Sequence, residues 1–335
     1  MTRVAASFVL ACALALFAGF SAAAQQFTVK VSSPTVNDVT HEWMKKFKNG
    51  VEARSGGKIK VEIYPAGQLG QIPTTVEGVA MGTIEVAAPA TGFLIGIEPR
   101  FLVFDTPGLF DDVAHAQRVL ADPELSSRFS AFGQAKGIEP LAIYPHGPLM
   151  VLTHKGIRST EDFRGQKIRV PGPAPLQIEP LRKLGALPLS MSLGEVLPAM
   201  QNRTIDGLTA SASVFTAFKY YDVAKTLTKV PGSVIVVAAV ANRDFLKSLG
   251  PDLAKIVREE AAKARADTAP FALSDAERVL KVWRENGGDI VEMQPDQGKK
   301  YLAEVTSVLP PILKGNAKLK DDYEGLLEAA SRVRK

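Results

Sequence analysis

The run Asp162-Phe163-Arg164-Gly165-Gln166-Lys167-Ile168-Arg169-Val170-Pro171-Gly172 holds a short strand that is closed abruptly at its far end. Ile168 and Val170 point to one face of that strand and Arg169 to the other, because successive side chains alternate across a pleated backbone. Pro171 lacks the N–H that a ladder needs and Gly172 allows a sharp turn, so the Arg169 guanidinium sits at a strand terminus. In open α/β sheets, ligands bind in the crevice beyond such termini. A guanidinium is a planar fork that matches a carboxylate and stays charged when desolvated. An arginine placed this way either receives the acid group of a ligand or pairs with an Asp or Glu at the surface. The local sequence leaves both open.

The segments around this run alternate between two periodicities. Phe27, Val29 and Val31 are spaced as a strand, and Trp43, Phe47 and Val51 place a helix over 37–54 that is closed by Gly56-Gly57. Ile59, Val61 and Ile63 alternate again, a helix spans 73–81 with Gly82 as its stop, and 84–88 reads as strand. Further on, 141–144 and 150–153 read as strands broken by Pro145-His146-Gly147-Pro148. Ser192-Leu193-Gly194-Glu195 is a capping box that opens a helix to about residue 201. Residues 205–209 are strand, and 233–241 form a continuous apolar strand, as expected where both faces are covered. From 251 to 283 the pattern is helical: Val257 and Ala261 fall on one face, as do Val279 and Trp283. Pro270 within it either kinks one long helix or divides two packed ones. The whole is an α/β pattern.

The chain has 335 residues, 46% hydrophobic and 22% charged, enough for a large core or two lobes and unlike a disordered chain or a coiled coil. Residues 1–24 are set apart: Arg3, a nearly uninterrupted apolar run over 4–20, then Ser21, Ala22, Ala23 and Ala24. That is the layout of a cleavable secretory signal peptide, with an uncleaved anchor as the alternative, and it predicts a periplasmic protein. Cys12 falls inside this leader, so the mature chain carries no cysteine. Removing Arg3 takes the formal charge from +5 to +4, spread along the chain rather than gathered in a stripe, which argues against nucleic-acid binding.

Enzyme signatures are missing from the pattern. His41, His115, His146 and His154 lack metal-ligand spacing, and His41-Glu42-Trp43-Met44-Lys45 lacks the second histidine of a zinc-protease helix. Asp111-Asp112 and Asp321-Asp322 read as cap or surface pairs. Gly67-Gln68-Leu69-Gly70 lacks the P-loop lysine, and no Gly-x-Ser-x-Gly elbow exists. We therefore expect a binding protein with no catalytic residue, no metal ligand and no cofactor. A periplasmic enzyme without recognisable motifs is the rival class.

Several blocks, in order, carry a resemblance. They are Ser55-Gly56-Gly57-Lys58-Ile59, Tyr64-Pro65-Ala66-Gly67-Gln68-Leu69-Gly70, Gly82-Thr83-Ile84-Glu85, Pro107-Gly108-Leu109-Phe110, the Arg169 run itself, Leu184-Gly185-Ala186-Leu187-Pro188 and Ile205-Asp206-Gly207. Through nearly its whole mature length the chain resembles the substrate-binding receptors of TRAP transporters, the DctP type. The resemblance implies two α/β lobes, a ligand cleft between them and a long kinked inter-lobe helix. It divides the chain into the signal peptide 1–24, lobe I at 25–150 with a return segment near 234–265, and lobe II at 151–233 with a C-terminal segment near 276–335. It also implies that Arg169 forms the salt bridge to a ligand carboxylate and that the closed receptor delivers its ligand to a membrane permease, the sole membrane contact. A receptor for an ATP-driven importer is the alternative partner reading.

The chain departs from the family pattern where some members carry a second arginine, since Leu149 stands there. The loop Ala88-Pro89-Ala90 next to Thr91 is apolar, and Thr209-Ala210-Ser211 lacks the amide common at that point, with Phe215 following. Arg169, Leu149, Thr91, Thr209, Ala210, Ser211 and Phe215 are the candidate ligand-binding residues. They predict a ligand with one carboxylate and an apolar body, such as an aromatic or oxo monocarboxylate. A uronate or other sugar acid is the alternative, as is the reading that these apolar residues are lobe core.

Overall fold

The computed structural model describes residues 26–334; the expected signal peptide, with Cys12, lies outside them. The strands are β1 (Phe27–Ser32), β2 (Ile59–Tyr64), β3 (Val86–Ala87), β4 (Ile138–Thr153), β5 (Lys167–Val170), β6 (Leu187–Ser190), β7 (Gly207–Ala210), β8 (Thr226–Asn242) and β9 (Asp289–Glu292). They form one sheet in the order β2-β1-β3-β8-β4-β7-β5-β6, with β9 on β8. β1 pairs in parallel with β2 and β3, and β5 with β6 and β7. These are two parallel half-sheets of the kind that strand-helix alternation builds.

What joins the half-sheets is the antiparallel ribbon of β4 and β8, the two longest strands among those described. The C-terminal end of β8 holds β3, through Val86↔Ala241, and the C-terminal end of β4 holds β7, through Met150↔Ala210. The predicted break at Pro145-His146-Gly147-Pro148 does not occur: β4 runs through it as one strand. The ladder absorbs the prolines by slipping, with register shifts between Pro140 and Ala142, Pro145 and Gly147, and Pro148 and Met150. A bulge lets a residue without an N–H stay in a strand, and it re-aims the extra residue. In the second shift that residue is His146.

The helix Gly250–Glu285 passes through Pro270 as a single element, about 54 Å long at 1.5 Å per residue. Its N-terminal half supplies Val257, Ala261 and Ala264 to the core around β1 and the helix Val39–Arg54, where Trp43 stacks on Phe47 and donates its indole N–H to the Ala261 carbonyl. Its C-terminal end supplies Val279 and Trp283 to a different core, with Phe215 and Tyr220. One helix thus closes both half-sheets. Gly82 ends the helix Ile72–Met81 in the left-handed region at φ 79°, as expected of a glycine stop. Asp112 caps the helix Val113–Leu120 as read from sequence, but Asp322 is fully buried rather than exposed, clamped bidentately by Arg100. Among the described residues no helix is long and apolar enough to cross a membrane.

Candidate functional site

Arg169 leaves β5 at its C-terminal end and is only 1% exposed. Its Nε and one terminal nitrogen both donate to the Met191 carbonyl at 3.0 Å. Its other terminal nitrogen, Nη1, has no partner, and no carboxylate is hydrogen-bonded to the guanidinium among the described residues. Burial pulls its pKa down to about 10, against the fields of Tyr220 and Glu195. The group is therefore still cationic at neutral pH. A buried charge without a counter-charge is strongly unfavourable, and a missing hydrogen bond adds to the cost.

A cavity of about 50 Å³ opens on this arginine, and eleven of its sixteen lining residues are apolar, including Ile72, Phe93, Leu193 and Val237. The polar ones are Thr35, Thr40, His146, Ser211 and Arg169 itself. His146 is hydrogen-bonded in two directions. Nε2 meets Asp38 Oδ2 at 2.9 Å and Nδ1 meets Ser211 Oγ at 2.9 Å, and Ser211 in turn meets the Ser213 hydroxyl at 2.9 Å. All three partners are buried. Burial would raise the Asp38 carboxyl, but His146 facing it, with help from Thr35 and the His41 N–H, brings it below its ordinary value. Burial would likewise lower His146, and the Asp38 charge and hydrogen bond outweigh it, with Asp275 adding to them, so the imidazole is held above its ordinary value.

The set has the residue types of a hydrolase triad, and hydrogen bonds to His146 and Ser213 orient the Ser211 hydroxyl. Asp38 is paired with His146, so the Arg169 guanidinium is the cation of the chamber that lacks a carboxylate partner.

Ala210 and Ser211 of the predicted set line the Arg169 chamber. Thr209 donates its hydroxyl to the Arg169 carbonyl at 3.3 Å, and with Leu149 it lines an adjoining cavity, which shares Pro171 and Ile235 with the first. Thr91 is buried with its hydroxyl donated to the Val236 carbonyl. Phe215 is packed in the core, its ring 6.2 Å from that of Trp283. Neither lines the chamber. Sequence reasoning missed His146 and Asp38. The available signal was a histidine between two prolines in an otherwise apolar strand, where a bulge is the way the strand survives.

The adjoining cavity carries a second polar pair, half-buried, with one oxygen of each side chain covered. Asp105 ends the 3-10 helix Pro99–Asp105, and its Oδ1 accepts from the Gln177 amide at 2.8 Å. Its Oδ2 and the Gln177 carbonyl oxygen have no partners. Burial lifts Asp105 to about 7, against the Gln177 hydrogen bond. Gly92 lies against this pair because a Cβ there would fall 2.7 Å from the Gln177 amide nitrogen and 3.0 Å from Asp105 Oδ2. Gly172, at φ +92°, meets the Gly92 carbonyl in the same seam. Among the described residues no cluster of His, Cys, Asp or Glu is arranged to hold a metal.

Residues 31–315 match the profile of a family described as bacterial extracellular solute-binding protein, family 7. The 2,3-diketo-L-gulonate-binding periplasmic protein YiaO of Escherichia coli is 26% identical over 279 residues, 83% of this chain and 84% of that protein. The C4-dicarboxylate-binding periplasmic protein DctP of Rhodobacter capsulatus is 27% identical over 292 residues, 85% of this chain and 86% of that one. A crystal structure of a TRAP periplasmic solute-binding protein from Desulfovibrio salexigens, with bound orotic acid, superposes with a TM-score of 0.86 at 22% identity. That superposition covers 92% of this chain and 99% of the other, and shows a shared fold.

Proposed function

The chain belongs to family 7 of the bacterial extracellular solute-binding proteins, and from that premise we propose that it captures a small organic monocarboxylate by its acid group on Arg169. It is a solute-binding receptor rather than an enzyme, of the TRAP type, a class that works with membrane permease subunits.

The observation that carries the ligand reading is the Arg169 guanidinium, buried, cationic and without a carboxylate partner. A ligand carboxylate supplies the missing charge and an acceptor for Nη1. Each charge-assisted hydrogen bond contributes about 1.5–3 kcal/mol net. Arg169 is the one chamber cation without a carboxylate partner, which favours one carboxylate over two, since a second would be buried without compensation. The apolar walls favour an apolar or aromatic body, and the Ser211 hydroxyl, held by His146, suits an oxo or hydroxyl group on it. The sugar-acid ligand in the name of the Escherichia coli relative supports the alternative, a polyhydroxylated acid. Few polar partners line the chamber to receive such hydroxyls.

The same reading assigns residues 25–150 and about 234–265 to lobe I, and 151–233 and about 276–335 to lobe II. The two half-sheets joined by the β4–β8 ribbon support this division. It takes the seam of Gly92, Asp105, Gly172 and Gln177 as the place where the lobes meet. Export by the 1–24 leader and delivery to a permease of two membrane subunits, rather than to an ATP-driven importer, complete the proposal.

Mass spectrometry of acid carried through purification, followed by calorimetry against aromatic, 2-oxo and uronic acids, tests it. The expected result is a monocarboxylate with tight binding in the first two classes. Tight binding of a uronate with none of the others contradicts the apolar-chamber reading.

A further inference from the structure

Behind the Arg169 chamber lies a larger cavity, of about 260 Å³, wedged between the long helix near Pro270, the helix Val113–Leu120 and residues 143–145 of β4. One strand and one helix turn separate the two. Val39 and Tyr144 face the rear cavity, while their neighbours in the chain Thr40 and the nearby His146 face the front, and the Tyr144 hydroxyl donates to Thr40 through the wall at 3.4 Å. No Asp or Glu lines the rear cavity, and its walls are mostly aliphatic.

Two polar groups there lack the partners their positions demand. Arg265 is half-buried, and its one hydrogen bond goes to the Leu120 carbonyl. Burial lowers its pKa, with no acidic group restoring it. The Arg54, Arg100 and Arg258 guanidiniums, by contrast, each pair with a carboxylate. Thr268 is 3% exposed and its hydroxyl has no partner, although a threonine in a helix ordinarily bonds a carbonyl one turn back. A buried hydroxyl left unpaired is rare in native proteins and calls for a ligand or an ordered water.

We propose that this rear cavity is a second binding site for a small organic anion with an apolar body, its carboxylate held by the Arg265 guanidinium and by the Thr268 hydroxyl, which is covered in this structure and reaches the cavity by rotation about its Cα–Cβ bond. The charge complement decides the class of occupant: a solitary cation and a hydroxyl donor at the edge of an apolar volume suit one carboxylate and a short hydrocarbon or aromatic body. The site is separate from the Arg169 chamber and stands whether or not that chamber's own reading holds.

The test uses fluorine NMR of 4-fluorobenzoate with full-length mature Arg169→Ala protein, in which the front cation is absent. Saturable binding is expected. It should weaken at least tenfold when Arg265→Gln is added, and likewise when the neutral 4-fluorobenzyl alcohol replaces the acid. Because Arg265 also holds the Leu120 carbonyl, Thr268→Val serves as a second variant that keeps shape and the Arg265 bond, and it should weaken binding several-fold. Absence of saturable binding to the Arg169→Ala protein, equal binding in both added variants, or equal binding of the alcohol overturns the proposal.

Discussion

Two side chains able to carry positive charge share the front chamber, and the protein supplies a carboxylate partner to only one of them. His146 has Asp38, so its charge is internal and its task is to hold the Ser211 hydroxyl in one orientation. The pair makes a pH signature. His146 is held above the ordinary imidazole value of 6.5, so its contribution to stability is complete below that value and is lost as pH rises through the folded one. Asp38 is held below 3.8, so its contribution is complete above that value and is lost as pH falls through the folded one. The pair therefore stabilises most between about pH 4 and 6.5. The double variant Asp38→Asn/His146→Gln removes both titrations while keeping hydrogen-bonding groups in place. Its melting temperature should lie furthest below that of the wild type near pH 5–6, with the gap narrowing toward pH 9. A gap that widens with alkalinity would remove the ion pair from the account. Nothing in one-dimensional spacing announces this contact, since Asp38 and His146 are 108 residues apart.

At the scale of elements, the segments legible in the sequence are those whose own side chains decide them. The alternation of Phe27, Val29 and Val31, the fourfold spacing of Trp43, Phe47 and Val51, the Gly82 stop and the Ser192–Glu195 capping box all recur in the folded chain. The element that was misread, β4, is settled by a partner. Only β8, lying alongside, can absorb the prolines through shifts of register. The seam between the 3-10 helix Pro99–Asp105 and the helix Pro175–Lys183 is likewise invisible in sequence, because its meaning depends on burial of Asp105. With Asp105 at about 7 in the folded chain and near 3.8 when unfolded, the native state holds more protons between those values. Stability relative to Asp105→Asn should then fall as pH rises from about 4 to 7, by a few kcal/mol at most, and level off above. Denaturant titrations across that range measure it. A flat difference would mean that the Asp105 carboxyl is not sealed in the seam.

The molecule as a whole is a ribbon of two long strands carrying a parallel half-sheet on each side, with one helix of 36 residues spanning both cores. In such a frame the ends of β5 and β7 are brought against the loops that follow β1 and β3, and the chamber forms where they meet. Arg169 was found from the sequence because a strand, a proline and a glycine fix its position without help from distant residues. Its lack of a paired carboxylate was not, since that rests on no carboxylate reaching it from the elements folded around it, Glu195 acting only through its field. Bringing the parts together around an unpaired cation opposes closure, and a ligand that supplies the charge reverses the balance. Removing the cation should leave the unliganded protein at least as stable as before.

The most direct test is calorimetric titration of the Arg169→Ala variant with the acid recovered from the wild-type protein. The dissociation constant should rise at least tenfold, the equivalent of about 1.4 kcal/mol or more, with the unliganded melting temperature unchanged or higher. An unchanged dissociation constant would show that the acid group of the ligand is held elsewhere.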